Sequence, residues 1–184
     1  MIGNDIIDLS LAKTASNWQR KGFLEKQFTA NEQQLILEAP NSFVMVWRLW
    51  SMKEAAYKIY TQQNIVRFFA PKKFECKLRS AKEGVVCFKG QKFYTSSLIN
   101  QRYILTKASL EKEISAYSEM APPHEIDNMI KKKLKELTAL SVSKIEQKKS
   151  KNGAPNYYHN ETPLTRSCSI SHHGNYGAFS FVQA

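Results

Sequence analysis

The chain has 184 residues, 42% of them hydrophobic, which excludes a disordered segment and predicts one globular domain or two small lobes around a shared core. Its 27 basic and 16 acidic residues give a net charge of +11, so we expect an anionic partner: an acidic protein, a phosphorylated ligand, a nucleic acid or a membrane surface. Three scattered cysteines, the absence of a signal-peptide pattern and the absence of a long apolar run predict a soluble cytoplasmic protein without a disulfide framework.

The first forty residues predict one strand followed by helices. Residues 2–9 are apolar and β-branched, which is typical of a strand. Helical signals follow from about 14 to 39. Thr29 and Glu32 have the spacing of a capping box, and the helix that they open should run towards Glu38.

Residues 43 to 61 predict one long buried helix. Several of its aromatic and charged residues recur at helical spacing and therefore share one face. They are Trp47, Trp50, Glu54, Tyr57 and Lys58.

The rest of the chain predicts short strands and one basic helix, so the expected fold class is α+β, with helices packed on antiparallel sheets. The tracts 84–108 and 153–182 are alike enough to suggest an internal duplication, but any two hairpins would look as similar. In chain order the predicted features are β-type runs within 72–108, a boundary at 122–123, a helix from about 124 to 140, a polar loop at 148–153 and strands near 167–172 and 177–182.

The first candidate site lies on the opening strand. An acid within an apolar strand is costly to bury unless a cation or hydrogen bonds stabilise it, which singles out Asp5. Strand alternation places Asp5 and Ile7 on one face and Asp8 with Ile6 on the other. Asp8 is therefore expected to end the strand as a turn or cap residue.

The second candidate site is on the long helix. Glu54 and Lys58 are four residues apart, in the orientation favoured for a helical ion pair. A surface pair of small energetic value is one interpretation. The large aromatic residues on the same face favour another, in which the charges are covered and have a functional partner.

The third candidate site is the segment Ser169-Ile170-Ser171-His172, which comes just before a Gly-Asn turn. Such a strand end would present polar side chains. Taken alone, the adjacent histidines are typical of ordinary loop polarity.

Together these three segments resemble the signatures of 4'-phosphopantetheinyl transferases. The patterns are Gly-x-Asp at Gly3 and Asp5, Trp-x-x-Lys-Glu-x-x-x-Lys from Trp50 to Lys58, and Ser-x-Ser-His ending at His172. The middle pattern is the specific one, because its spacing matches at every position. With all three, the resemblance spans most of the chain, from Gly3 to Ala178.

The order of the motifs is similar to that of the short, holo-acyl-carrier-protein synthase type, in which Gly-x-Asp comes first. The helix motif is closer to the long, surfactin-synthetase-activating type, and the chain exceeds a usual short subunit in length. The resemblance therefore favours a single-chain pseudo-dimer, with a trimer as the alternative. We expect a magnesium-binding catalytic lobe at 1–115 and a lobe at 116–184 with the basic helix and the Ser-His segment.

Three positions depart from the family pattern. Ile7 stands where the long type has a second acid. Ala154 replaces the lysine of a Gly-Lys-Pro loop, for which Lys149 or Lys151 could substitute. His173 occupies a position that is often serine.

The resemblance implies transfer of 4'-phosphopantetheine from coenzyme A to a serine of an apo acyl or peptidyl carrier protein, with release of 3',5'-ADP. It implies that Asp5 and Glu54 hold Mg²⁺ and that Glu54 and Lys58 are catalytic. Lys58, Ser171, His172 and Arg48 are the expected coenzyme A contacts, with the lysines at 131–135 as an alternative to Arg48 for the 3'-phosphate.

An acidic carrier protein suits the basic chain, and fatty acid biosynthesis is one expected context. We expect neither a nucleic acid nor a membrane as partner. The alternatives are a nucleic-acid-binding module, a magnesium-dependent phosphodiesterase or nuclease, and a coenzyme A-binding protein without transferase activity.

Overall fold

The computed structural model describes residues 1–64 and 70–184, which form helices packed on antiparallel sheets. The α+β prediction is therefore confirmed. The helices are α1 (Leu9–Ala15), α2 (Phe23–Gln27), α3 (Ala30–Glu38), α4 (Ser42–Gln63) and α5 (Ile126–Thr138). The strands are β1 (Ile2–Asp8), β2 (Glu75–Leu78), β3 (Glu83–Phe88), β4 (Gln91–Ile99), β5 (Tyr103–Ser109), β6 (Tyr117–Ala121), β7 (Glu146–Lys149), β8 (Pro155–His159), β9 (Thr162–Pro163), β10 (Thr165–His173) and β11 (Tyr176–Gln183).

In the residues that the structure describes, the strands form three antiparallel sheets. The largest has the order β1-β5-β4-β3-β2, the second the order β10-β11-β6, and the third the order β7-β8-β9. β1 is an edge strand of the first sheet, and β10 is an edge strand of the second. These two edges meet, so that every residue of β1 is buried.

Two apolar cores lie on either side of this junction. The first surrounds α4 and includes Leu49, Met52 and Phe74, while the second joins α5 to the sheet of β10 and β11. The residues at the centre of the second core are Ile130, Leu134, Tyr157, Phe179 and Phe181.

β1 packs very closely against α4 because Gly3 has no side chain. A β-carbon at Gly3 would lie 2.1 Å from the backbone oxygen of Ala55, well inside van der Waals contact. This contact explains the glycine of the Gly-x-Asp motif, because a larger residue would push the strand away from the helix.

Most predicted elements are confirmed, with shifted ends. The long helix predicted at 43–61 is α4, and the basic helix predicted at 124–140 is α5. The capping box is present: Thr29 Oγ1 accepts from the Glu32 N–H (3.3 Å) and Glu32 Oε2 from the Thr29 N–H (2.8 Å). Asp8 caps α1, as expected.

Two predictions about element boundaries were wrong. The helical tract predicted from 14 to 39 is interrupted at residues 16–22, and its first helix starts earlier, at Leu9. The polar loop predicted at 148–153 includes the end of β7, a strand of charged and amide residues that pairs with β8. The pairing with β8 stabilises β7, so this strand forms although its own residues show no strand pattern.

A buried ion pair fixes α4 to its surroundings. Lys53, inside the tryptophan-bearing motif, donates to both carboxylate oxygens of Glu32 at 2.8 Å and to the backbone oxygens of Pro71 (3.0 Å) and Phe74 (2.5 Å). Glu32 also accepts from the Cys76 N–H at 2.7 Å. Each charge is therefore fully hydrogen-bonded, which offsets the cost of removing the pair from water.

Within the described ranges, no helix combines the length and the apolarity that crossing a bilayer requires.

We predict that Lys53→Met destabilises the fold by about 3–5 kcal/mol, because it leaves the Glu32 carboxylate buried without its cation. The double variant Glu32→Gln/Lys53→Met should recover part of this loss. Urea denaturation measures both. As a control, Lys132→Met on the exposed face of α5 should change the free energy of unfolding by less than about 0.5 kcal/mol. A Lys53→Met variant as stable as this control would contradict the prediction.

Candidate active site

The Asp5 carboxylate lies in the interface between β1 and α4. Its Oδ1 is 3.5 Å from the Lys58 Nζ, and its backbone oxygen accepts a hydrogen bond from the Ser51 hydroxyl at 3.4 Å. Its Oδ2 is buried and has no hydrogen-bond partner among the described residues. Burial raises the pKa of Asp5, and the nearby Lys58 ammonium lowers it in part.

Glu54 is a second acid beside Asp5. Partial burial is the main reason that its pKa rises to about 7, and the Asp5 carboxylate raises it further. The Lys58 ammonium has the opposite, smaller effect. The two acids predicted on separate elements are thus close enough to repel each other.

Lys58 reaches across to β1. Its Nζ donates to the Asn4 backbone oxygen at 2.8 Å and pairs with Asp5 Oδ1, and 27% of its side chain remains exposed. The interpretation of Lys58 as half of an exposed helical ion pair is therefore wrong, because its partner lies on the strand and is largely buried. The exposed part of Lys58 remains accessible to an anionic ligand.

The donor set fits a hard divalent cation. Asp5 Oδ2 is a buried oxygen without a hydrogen-bond partner in the described structure. The raised pKa of Glu54 is due mainly to burial and, in smaller part, to repulsion from the Asp5 carboxylate. The described ranges contain no group of three or more His, Cys, Asp or Glu side chains suited to hold a metal. A cation here would therefore take two carboxylates and fill its other positions with water or ligand oxygens, as Mg²⁺ commonly does.

Alternate side chains of β10 bind alternate backbone N–H groups of β1. Ser167, Ser169 and His173 accept, respectively, from the N–H groups of Ile2, Asn4 and Asp8, each at 2.9 Å. These bonds satisfy donors at the unpaired edge of β1 and bring the Ser-His segment to the candidate site.

Ser171 and His172 lie on opposite faces of β10. Ser171 is on the β1 side and buried, with an Oγ that has no hydrogen-bond partner among the described residues, while His172 is exposed. His173 shares the face of β10 that contacts β1, where its Nδ1 accepts from the Asp8 N–H. The roles of Ser171 and His172 as coenzyme A contacts stay predictions.

Sequence reasoning missed the role of His173, which it treated only as a departure from a family pattern. The two-residue period of a strand was the available signal, because it places residue 173 on the same face as residues 169 and 171.

A cavity of about 230 Å³ lies next to Lys58. It is bounded by α4, by β10 and by the loop at Gly153 and Ala154. Asn152 anchors this loop by donating from Nδ2 to the Thr61 backbone oxygen at 2.6 Å. The loop predicted as the counterpart of Gly-Lys-Pro is therefore adjacent to the exposed part of Lys58.

Arg48 is buried and bonded within the fold. Its guanidinium donates to the backbone oxygens of Ser80 (2.8 Å) and Glu83 (3.3 Å), which stabilises the turn between β2 and β3. Burial lowers its pKa. Contact between Arg48 and the 3'-phosphate stays a prediction.

A model of the 4'-phosphopantetheinyl transferase superfamily matches residues 1–108, more than half of the chain. The protein therefore belongs to this superfamily.

Among solved structures, the chain is similar to Helicobacter pylori holo-[acyl-carrier-protein] synthase in complex with coenzyme A. That match covers all of both chains at 15% identity, with a TM-score of 0.27, and adds nothing to the family assignment. No curated protein matches the chain.

We predict that, when divalent cations are removed by a chelator, Glu54 makes the free energy of unfolding depend on pH. The folded protein holds the Glu54 proton up to about pH 7, whereas the ordinary pKa of the group is 4.5. The contribution of Glu54 to stability is therefore full below pH 4.5 and is lost as the pH rises through 7.

Denaturation of the wild type and of Glu54→Gln at several pH values isolates this contribution. The free energy of unfolding of the wild type, relative to that of the variant, should fall as the pH rises from 4.5 through about 7. A difference that stays constant or rises with pH would contradict the assignment.

Proposed function

We propose that this protein transfers 4'-phosphopantetheine from coenzyme A to a serine of an apo carrier protein in a Mg²⁺-dependent reaction. The observation that carries the proposal is the meeting of Asp5, Glu54 and Lys58 across the β1–α4 interface. Family membership gives the reaction class, and this cluster supplies groups suited to a diphosphate substrate.

Asp5 and Glu54 are the proposed Mg²⁺ ligands. Bound Mg²⁺ would stabilise the negative charge of the diphosphate as a Lewis acid and orient its oxygens. The unpartnered Asp5 Oδ2 and the repulsion between the two acids support this assignment.

The side chains have distinct proposed roles. The carrier serine oxygen bonds to the β-phosphorus of coenzyme A while the bond to the oxygen of 3',5'-ADP breaks. Glu54, ionised when it holds the metal, is also proposed to accept the serine proton. Lys58 contacts the diphosphate and stabilises the charge that develops on the departing phosphate.

The nucleotide is proposed to contact Lys58, Ser171 and His172, with Arg48 or the lysines at 131–135 for the 3'-phosphate. The cavity beside Lys58 supports a ligand on this side of α4. Within the basic helix, Lys131 pairs with Asp127 and Lys133 with Glu136, which leaves less free charge for a nucleic acid.

The holo-acyl-carrier-protein synthase type is the proposed class, with an acidic acyl or peptidyl carrier protein as partner. The net charge of +11 supports electrostatic attraction of such a carrier. The two cores joined at β1 and β10 support a single-chain pseudo-dimer with lobes at 1–115 and 116–184. The three free cysteines suit a cytoplasmic setting, with fatty acid biosynthesis as one context.

We predict that the protein, with Mg²⁺ and coenzyme A, adds one phosphopantetheinyl group to an apo acyl carrier protein, measured as a gain in the carrier's intact mass. Asp5→Asn and Glu54→Gln should abolish transfer without unfolding the protein. Lys58→Ala should reduce kcat by about 100-fold or more.

The matched controls are Glu113→Gln and Lys92→Ala, both at exposed positions and expected to retain activity. Full transfer by Asp5→Asn and Glu54→Gln would refute the metal assignment, and near-normal turnover of Lys58→Ala would refute its catalytic role.

Mg²⁺ affinity should rise with pH, by up to about tenfold per unit below about pH 7, because Glu54 has to lose its proton before it binds the metal. Calorimetry at several pH values, in buffers of different ionisation enthalpy, measures the affinity and the released proton. The Glu113→Gln control should keep this dependence. A Mg²⁺ affinity that is constant below pH 7 would exclude Glu54 as a ligand.

The second candidate function is coenzyme A binding without transfer, which Ala154 favours because it leaves the loop without its expected lysine. Calorimetric binding of coenzyme A, together with an unchanged carrier mass for every carrier tested, would support it.

A further inference from the structure

The turn between β10 and β11 is attached to the end of β1 through one residue. The Asp8 N–H donates to His173 Nδ1 at 2.9 Å, and Asp8 Oδ2 accepts from the Asn175 N–H at 3.3 Å. The other oxygen, Oδ1, caps α1 by accepting from the N–H groups of Ser10 (3.0 Å) and Leu11 (3.2 Å). Asp8 thus joins the turn, β1 and α1.

Two further contacts fix the turn in place. Gly174 has a φ of +56°, and a β-carbon there would lie 2.4 Å from Asp8 Oδ2, so the close approach needs glycine. The Tyr176 ring packs against the Tyr103 ring with centroids 5.2 Å apart, and Tyr103 is the cross-strand neighbour of Asp8.

His173 accepts a hydrogen bond where β10 elsewhere uses serine. Ser167 and Ser169 accept from β1 through hydroxyl groups, whereas His173 accepts through a ring nitrogen. A nitrogen that accepts from a backbone N–H carries no proton of its own, so Nδ1 is the unprotonated position.

We propose that His173 is a positioning residue for the coenzyme A site. This inference rests on the proposed function, because it concerns the same reaction. The bond from the Asp8 N–H to Nδ1 holds the end of β10 against β1, and so fixes Ser171 and His172 relative to Asp5.

The spacing along the two strands explains how this one bond positions the proposed site. His172 immediately precedes His173, and Asp5 lies three residues before Asp8 on β1. The bond therefore sets the distance between the proposed nucleotide contacts and the proposed metal ligand. Small errors in such a distance weaken the positioning on which phosphoryl transfer depends.

A matched pair of amide variants tests the proposal. The Oδ1 of asparagine is attached at the same position along the side chain as histidine Nδ1, whereas the Oε1 of glutamine is one bond further out. His173→Asn should therefore keep the bond to Asp8, and His173→Gln should lose it.

We predict that the Asp8 amide hydrogen, followed by NMR, exchanges at least about tenfold faster in His173→Gln than in the wild type or in His173→Asn. The KM for coenzyme A should rise about tenfold in His173→Gln, with kcat within about twofold, while His173→Asn stays near the wild type. Gly174→Ala, which disturbs the same contact from the turn, should give the His173→Gln pattern.

If the Asp8 amide hydrogen exchanges as slowly in His173→Gln as in the wild type, the assigned hydrogen bond is overturned. Faster exchange with an unchanged KM, or with a loss confined to kcat, would overturn the positioning role. If His173→Gln does not fold, the Gly174→Ala variant decides between these outcomes.

Failure of the proposed function itself would appear separately, as a wild-type protein that transfers nothing. In that case the calorimetric Kd for coenzyme A replaces KM, and the exchange measurement reports on the contact without any activity.

Discussion

The close packing of β1 on α4 is the constraint on which the candidate site depends. The strand reaches this position only because Gly3 lets its backbone approach the Ala55 carbonyl, and the approach carries Asp5 into the same interface as Glu54 and Lys58. Burial raises the pKa of Glu54 to about 7, and repulsion from the Asp5 carboxylate contributes to the rise. The one lysine nearby, Lys58, is partly exposed and compensates the negative charge of the two acids only in part. Such an excess of negative charge suits a cation better than it suits a purely structural ion pair.

Two neighbouring residues of the helix motif have different surroundings in the fold. Lys53 and Glu54 are adjacent in sequence, yet Lys53 points into the core and pairs with Glu32, while Glu54 lies beside Asp5. The buried pair holds α4 against α3 and the segment at Pro71 and Phe74. A helix fixed in this way can present Glu54 and Lys58 to β1 in a defined geometry.

Local patterns in the sequence predicted the elements around the site well, because capping, helical period and strand alternation are short-range signals. The capping box at Thr29, the cap at Asp8 and the extent of α4 follow from a few neighbouring residues. Long-range pairing was not predictable in this way: β7 forms because β8 lies beside it, and Lys58 reaches Asp5 across 53 positions of sequence. The bonds from β10 to β1 link residues 165 positions apart, so their partners could not be read from either segment alone.

A crystal structure of the protein grown with Mn²⁺ in place of Mg²⁺ and with coenzyme A decides whether Asp5 and Glu54 hold the metal together, because anomalous scattering locates the metal. We expect one peak within about 2.5 Å of carboxylate oxygens from both Asp5 and Glu54, on the side where the diphosphate binds. A metal bound elsewhere, or carboxylates that contact only Lys58 while the diphosphate lies at another site, would contradict this expectation.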